Sequence, residues 1–132
     1  MKKQEKIEKI KINDVEYIRA DLLQVGDGSG TEPLTLDGMN YAIVRSRNQG
    51  VMCGFVESID GQTVKIHQAR QIWRYDSTFV LPDIAEHGMR DPSKAMLSVA
   101  MSQPCVMGEA CGVMYCTADA ARQLIAIPAV KK

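Results

Sequence analysis

One short segment of the chain, ARQIWRY at residues 69–75, combines arginine with aromatic side chains. In an extended strand successive side chains point to opposite faces, so Arg70 and Arg74 are expected on one face. Trp73 and Tyr75 are expected on the other face. A guanidinium group binds phosphate through paired hydrogen bonds, and a flat aromatic ring is a surface on which a nucleobase stacks. The segment therefore predicts a site for an anionic ligand that contains a base.

A structural interpretation of the same segment stays open. In that interpretation the strand is half-buried, its arginines are solvated and Trp73 anchors the core. In the functional hypothesis Arg70 and Arg74 instead bind the ligand, and Arg70→Ala is expected to leave the melting temperature nearly unchanged. An earlier strand carries a second pair of arginines, Arg45 and Arg47, on the face of its apolar residues.

Net charge decides between a nucleic acid and a small ligand. The sequence has 16 basic and 16 acidic residues, so its formal net charge is zero. A polyanion such as RNA is attracted chiefly by an excess of lysine and arginine. Bulk nucleic acid is therefore disfavoured as a partner, and a small nucleotide fits the local charge better.

The other reactive residue types occur without a catalytic or metal-binding pattern. No CxxC spacing occurs, and a packing role as reduced thiols is predicted for all four cysteines: Cys53, Cys105, Cys111 and Cys116. His67 and His87 fall in different elements, with no metal-ligand spacing. A nucleotide hydrolase would need one of these histidines as a base beside the phosphates. We therefore expect a binding protein rather than an enzyme, with no cofactor and no metal.

The sequence patterns around these residues predict a small α+β domain built on an antiparallel sheet. Residues rich in Val, Ile and aromatic types indicate strands at 41–47, 50–59 and 62–75. Asp60-Gly61 separates the last two strands and predicts a tight hairpin between them.

Two helices and two further strands are expected after this hairpin. A short helix lies within residues 81–89, and a C-terminal helix begins at the capping residue Thr117 and ends before Pro128. The further strands are predicted at 96–101 and 105–116, although the glycines of the second weaken it.

The chain divides into three predicted parts. Residues 1–23 form an N-terminal hairpin extension, residues 24–40 a linker or loop rich in Gly, Asp and Ser, and residues 41–132 the α+β ligand-binding domain. No apolar run approaches the roughly 18 to 20 residues of a membrane span. Charged residues interrupt the N-terminus where a signal peptide has its apolar region. The expected location is the cytoplasm, with no membrane partner.

The order of features in the body of the chain resembles a family of small phage proteins. The stretch NYAIVRSRNQGVMCGFVESIDGQTVKIHQARQIWRYDS is followed by HGMRDPSK at the end of the short helix and by CTADAARQLIAIP. These features are similar to the anti-Thoeris sponge proteins, which sequester the cyclic ADP-ribose signal of a bacterial defence system. The similarity covers residues 40–132, and its most specific elements are RSRNQGVMCGFVES and ARQIWRY. The segment MSQPCVMGEACGVMYC departs from the pattern, where a more regular aliphatic strand is expected.

The resemblance implies a phage anti-defence protein that binds a cyclic nucleotide without cleaving it, in the cytoplasm of the infected bacterial host. It also implies a homo-oligomer, a hexamer built from dimers, with the ligand between protomers and a separate site for cyclic oligonucleotides. Ligand-binding roles transfer to Arg70, Trp73, Arg74, Thr117 and Arg122, and Phe79 is a further stacking candidate. The arginines would bind the pyrophosphate, while Trp73 or Phe79 would stack on adenine.

A phage structural or assembly protein is the alternative function. Short strands and the lack of a catalytic motif fit a subunit of a ring-like oligomer equally well. A nucleotide bound to the purified protein would distinguish the two functions.

Overall fold

The computed structural model describes residues 30–75 and 79–130, which form an antiparallel sheet with helices on one face. The strands are β1 (Thr35–Leu36), β2 (Met39–Ser46), β3 (Gly50–Asp60), β4 (Thr63–Arg74), β5 (Met96–Leu97), β6 (Cys105–Met107) and β7 (Ala110–Tyr115). The helices are α1 (Leu81–His87) and α2 (Ala118–Ala126), with a 3₁₀ turn at Pro92–Lys94 between them. The predicted α+β class is confirmed. The hairpin predicted within residues 1–23 lies outside the described residues.

The hairpin between β3 and β4 forms where Asp60-Gly61 predicts it. Asp60 pairs with Thr63, so Gly61 and Gln62 make a two-residue loop in which Gly61 has a φ of 61°. Such loops favour residues at positive φ, which glycine adopts without a steric clash of Cβ. The predicted antiparallel pairing of these two strands is confirmed.

The sheet curls because one segment of the chain pairs with both of its edges. β6 pairs with the beginning of β4, and β7 pairs with β2. Only Gly108-Glu109 lies between β6 and β7. The two outer edges of the β2–β3–β4 unit are therefore linked, and the sheet acquires an inner and an outer face.

The prediction of a single strand over residues 105–116 is wrong. The chain turns at Gly108-Glu109, where Glu109 has a φ of 53°, and the strands on the two sides of this turn pair with different edges of the sheet. The strand predicted at 96–101 is also too long, because β5 ends after two residues. Beyond it the backbone is irregular, although the Met101 N–H still donates to the Ala69 carbonyl at 2.9 Å.

Both faces of the central strands are buried. On β2, Tyr41 and Ile43 belong to the outer cluster, which also contains side chains of both helices. Ala42 and Val44 belong to the inner cluster, which lies within the curl of the sheet. This double burial explains the continuous apolar run YAIV in the sequence.

Part of the linker predicted at residues 24–40 belongs to the sheet. Leu34 and Leu36 are buried in the outer cluster, and β1 pairs with the first residues of β2. Between these strands Asp37-Gly38 makes a tight turn, with φ values of 50° and 82°. The turn-forming composition that predicted a linker therefore belongs to a hairpin here. Residues 24–29 lie outside the described part of the chain.

Both predicted helices are confirmed. α1 follows Val80, whose backbone N–H donates to Asp83 Oδ2 at 3.2 Å, and Gly88 ends it. α2 follows Thr117, whose Oγ1 accepts a hydrogen bond from the Ala120 N–H at 3.2 Å. Within residues 30–75 and 79–130, no helix has the length and apolarity needed to cross a membrane.

Candidate functional site

A bulge in β4 positions the candidate site. Gln68 and Ala69 both lie opposite the single residue Gly54 of β3, because the pairing register shifts there. Gln68 has a φ of 54°, a left-handed conformation that few residues other than glycine adopt. A Cβ on Gly54 would lie 2.8 Å from the His67 carbonyl oxygen, so the close approach of the strands requires glycine. Bulges bend a strand and redirect its side chains, and Arg70 follows this one directly.

Arg70 is buried, with 4% of its surface exposed. Its Nε donates to the Ser98 carbonyl at 2.8 Å, and its Nη1 donates to the carbonyls of Leu124 at 2.8 Å and Ile125 at 3.3 Å. Leu124 and Ile125 lie in the last turn of α2, where carbonyls have no partner within the helix. Arg70 therefore joins β4 to the end of α2 and to the segment after β5. The structural interpretation, in which the arginines of this strand are solvated, is therefore wrong for Arg70.

The charge of Arg70 has no anionic partner in the described part of the chain. No carboxylate there forms an ion pair with it, and its Nη2 has no hydrogen bond. Burial raises the pKa of Tyr41 well above its usual range and raises the pKa of Cys53 to about 11. The Tyr41 hydroxyl donates to Cys53 Sγ at 3.3 Å, so both groups are neutral at neutral pH. Neither neighbour compensates the guanidinium charge.

Arg70 lines a cavity of about 270 Å³, which we call the Arg70 cleft. Its other lining residues are Tyr41, Gln68, Val99, Ala100, Ile125, Ile127 and Ala129. Apolar walls around a few polar groups are typical of small-molecule sites. Val99 is 66% exposed and Ile125 is 39% exposed, so the cleft is accessible from solvent.

Trp73 and Arg74 lie near the end of β4, outside the Arg70 cleft. Trp73 is 51% exposed and Arg74 is exposed as well. The β4–β5 register shifts between Ile72 and Arg74, and Tyr75 packs against the same outer cluster as Ile72. Tyr75 lies one residue after the end of β4, so the alternation that predicted it on the face away from Ile72 does not extend to it.

The remaining predicted ligand residues also lie outside the cleft. Phe79 packs against the outer cluster, with its ring centroid 6.4 Å from that of His87. Thr117 is buried, and its hydroxyl both caps α2 and donates to the Glu86 carbonyl at 2.8 Å. Arg122 is exposed on α2. Of the six predicted ligand residues, the structure places only Arg70 in the Arg70 cleft.

Comparison with known proteins gives one match. Residues 39–124 match the family model DUF6948, a domain of unknown function. The chain belongs to the DUF6948 family. No curated protein and no solved structure matches the chain.

The DUF6948 match runs from the start of β2 into α2. It contains Arg70, Gln68 and the exposed Val99, but it ends before Ile125 and the other cleft residues of the C-terminal segment. The charged group of the cleft therefore lies inside the DUF6948 match, whereas one of its apolar walls lies after it.

Neither histidine lines the Arg70 cleft. His67 Nε2 lies 2.6 Å from Glu57 Oε1 on the neighbouring strand, and Lys65 Nζ lies 3.5 Å from Glu57 Oε2. The hydrogen bond to His67 and the charge of Lys65 lower the pKa of Glu57. His87 is exposed at the end of α1. Neither ring is placed to act on a ligand held by Arg70.

The cysteines do not share one environment. Cys53 and Cys116 are buried, and burial raises the pKa of Cys116 to about 12. Cys105 is partly buried, whereas Cys111 is exposed. The packing role predicted for all four is therefore wrong for Cys111, which lies on β7 beside the break in the predicted strand.

Sequence reasoning missed most of the cleft. Gln68 belongs to a bulge that has no sequence signal except Gly54, and the apolar walls come from irregular segments after β5 and α2. These segments meet β4 only in the folded chain.

Proposed function

We propose that this DUF6948 protein binds a small anionic nucleotide at the Arg70 cleft and sequesters it without cleaving it. The observation that carries the proposal is a buried guanidinium, with no carboxylate partner in the described residues, at the wall of an apolar cavity. A buried charge without an opposite charge is costly, and an anionic ligand would supply the missing one.

The size of the cleft supports a site for part of a nucleotide. Small-molecule sites commonly measure about 300 to 1,000 Å³, and the Arg70 cleft measures about 270 Å³. A phosphate with an adjoining ring would fill it, and the remainder of the ligand would lie at the mouth beside Val99 and Ile125.

The chemistry of the lining supports binding without cleavage. Among the described residues of the cleft, Tyr41 carries the only hydroxyl, which donates to Cys53 and stays protonated at neutral pH. A general base must lie within hydrogen-bond distance of the proton that it removes. No carboxylate or imidazole lies among these lining residues.

The specific form of the proposal follows the resemblance to the sponge proteins. Cyclic ADP-ribose isomers are the first ligands to test, and the protein would act in the host cytoplasm by lowering the free concentration of the signal. Trp73 and Arg74 lie outside the cleft, so the proposal assigns their contact with the ligand to another protomer of a homo-oligomer. Such an oligomer is part of the proposal.

A second candidate, a phage structural or assembly subunit, is favoured by a different observation. Val106 on β6 and Tyr115 on β7 are 57% and 53% exposed, although both side chains are large and apolar or aromatic. Contiguous apolar patches mark surfaces where proteins meet, so this second candidate requires that the two side chains belong to one patch.

Titration calorimetry with a panel of cyclic ADP-ribose isomers and mononucleotides tests the proposal. We expect at least one nucleotide to bind, and mass spectrometry of the denatured complex to recover it intact. Absence of binding across the panel would contradict the proposal and favour the assembly subunit. Recovery of a cleaved ligand would instead indicate an enzyme.

A further inference from the structure

The Arg70 cleft offers a ligand one positive charge. Among its described lining residues, only Arg70 carries a charged side chain. Ser98, Leu124 and Ile125 carbonyls already accept from Nε and Nη1, so Nη2 is the nitrogen that remains for a ligand. The side chain thus cannot present the two-nitrogen fork with which an unoccupied arginine binds phosphate or carboxylate.

The other polar groups of the cleft add hydrogen bonds but no charge. The Gln68 side chain has no hydrogen bond or ion pair in the described part of the chain, so its amide is available to a ligand oxygen. Tyr41 donates its hydroxyl proton to Cys53. The remaining walls, including Val99 and Ile127, are apolar and suit a ring or an aliphatic body.

From this single available cation we infer that the Arg70 cleft selects ligands whose bound group carries one negative charge, a phosphodiester or a carboxylate, on an apolar or aromatic body. The inference rests on the proposed function, because it takes the same cleft as the ligand site. A second negative charge in the cleft would lose its hydration without gaining a cation. Phosphomonoesters are therefore selected against, and the pyrophosphate of a cyclic ADP-ribose isomer would need a cation from outside the cleft.

A matched pair of nucleotides tests this preference for a single negative charge on the unmodified protein. Cyclic AMP and AMP share their base and sugar, but the phosphodiester carries one negative charge and the monoester about two at neutral pH. We expect calorimetry to give a Kd for cyclic AMP at least tenfold lower than that for AMP. AMP binding as tightly as cyclic AMP would overturn the inference and leave the proposed function standing.

A second pair of ligands tests whether a carboxylate, instead of a phosphodiester, can supply the single negative charge. Indoleacetate and the neutral indoleacetamide have the same ring and differ in the charge of one group. Indoleacetate binding at least tenfold more tightly than the amide would support the inference. If indoleacetate binds and no nucleotide does, the preference for a single negative charge holds and the proposed nucleotide function is wrong. If none of the four ligands binds, the inference fails, and the titration with cyclic ADP-ribose isomers still decides the proposed function.

A variant at the mouth of the cleft tests whether the ligand binds there, without a change to Arg70. Val99 is 66% exposed, so Val99→Glu is expected to fold normally and to add a carboxylate beside the guanidinium. We expect Val99→Glu to bind cyclic AMP at least tenfold more weakly than Val99→Gln, because the two side chains have nearly the same size and shape and differ in charge. Equal affinities of the two variants would overturn the assignment of the ligand to the Arg70 cleft.

Discussion

Replacing Arg70 with alanine is expected to lower the free energy of unfolding by about 2 to 4 kcal/mol. The side chain donates three hydrogen bonds, at 2.8, 2.8 and 3.3 Å, to the carbonyls of Ser98, Leu124 and Ile125. A hydrogen bond from a charged donor contributes about 1.5 to 3 kcal/mol, and a buried group left without a partner costs about 1 to 3 kcal/mol. Removal of the charge also removes its desolvation cost, so the net effect is smaller than the sum of the three bonds.

Urea denaturation followed by circular dichroism measures this effect, with Arg74→Ala as the matched control on the same strand. Arg74 is exposed, and its replacement is expected to change the free energy of unfolding by less than about 0.5 kcal/mol. An Arg70→Ala variant as stable as Arg74→Ala would refute the argument, because the three carbonyls would then have found other partners. Arg70→Lys is expected to recover only part of the loss, because one ammonium group cannot reproduce the planar guanidinium.

Three further predictions concern the core and the site periphery. Gly88→Ala is expected to lower the free energy of unfolding by about 1 to 3 kcal/mol, because Gly88 has a φ of 85°. The new Cβ would also lie 2.7 Å from Gln123 Oε1, so that side chain would have to shift. A thermal melt unchanged from wild type would contradict this. Trp73→Ala is expected to cost less than about 1 kcal/mol, because the ring is half exposed, whereas a loss of about 3 kcal/mol would indicate a core anchor. Stability is expected to fall between about pH 9 and 11, because the unfolded Cys53 thiol ionises from pH 9.0 while the folded thiol stays protonated to about 11. Denaturation across this range should show a shallower alkaline loss for Cys53→Ala than for the exposed control Cys111→Ala, and equal losses would argue against a contribution from Cys53.

Local sequence determined where the helices and the central hairpin begin and end. At Asp60-Gly61 the loop needs a positive φ, which glycine adopts readily, and at Thr117 the hydroxyl caps a helix that starts one residue later. Both effects act within about four residues, so they can be predicted without knowledge of the rest of the fold. The predicted strand boundaries were wrong where pairing with distant strands determines them. At Gly108-Glu109 the chain leaves one edge of the sheet and joins the other, so one predicted strand is two.

The sequence alone singled out Arg70 as a candidate ligand residue, but only the tertiary structure decided its environment. The usual preferences of these residue types for the interior or the surface predict a buried tryptophan and an exposed arginine. The fold instead buries Arg70 and leaves Trp73 half exposed. The reason is that the carbonyls that hold the guanidinium belong to residues 28, 54 and 55 positions away in the chain. Alternation along a strand determines which side chains share a face, but the segments that cover that face, and the hydrogen-bond partners they bring, are determined by contacts distant in sequence.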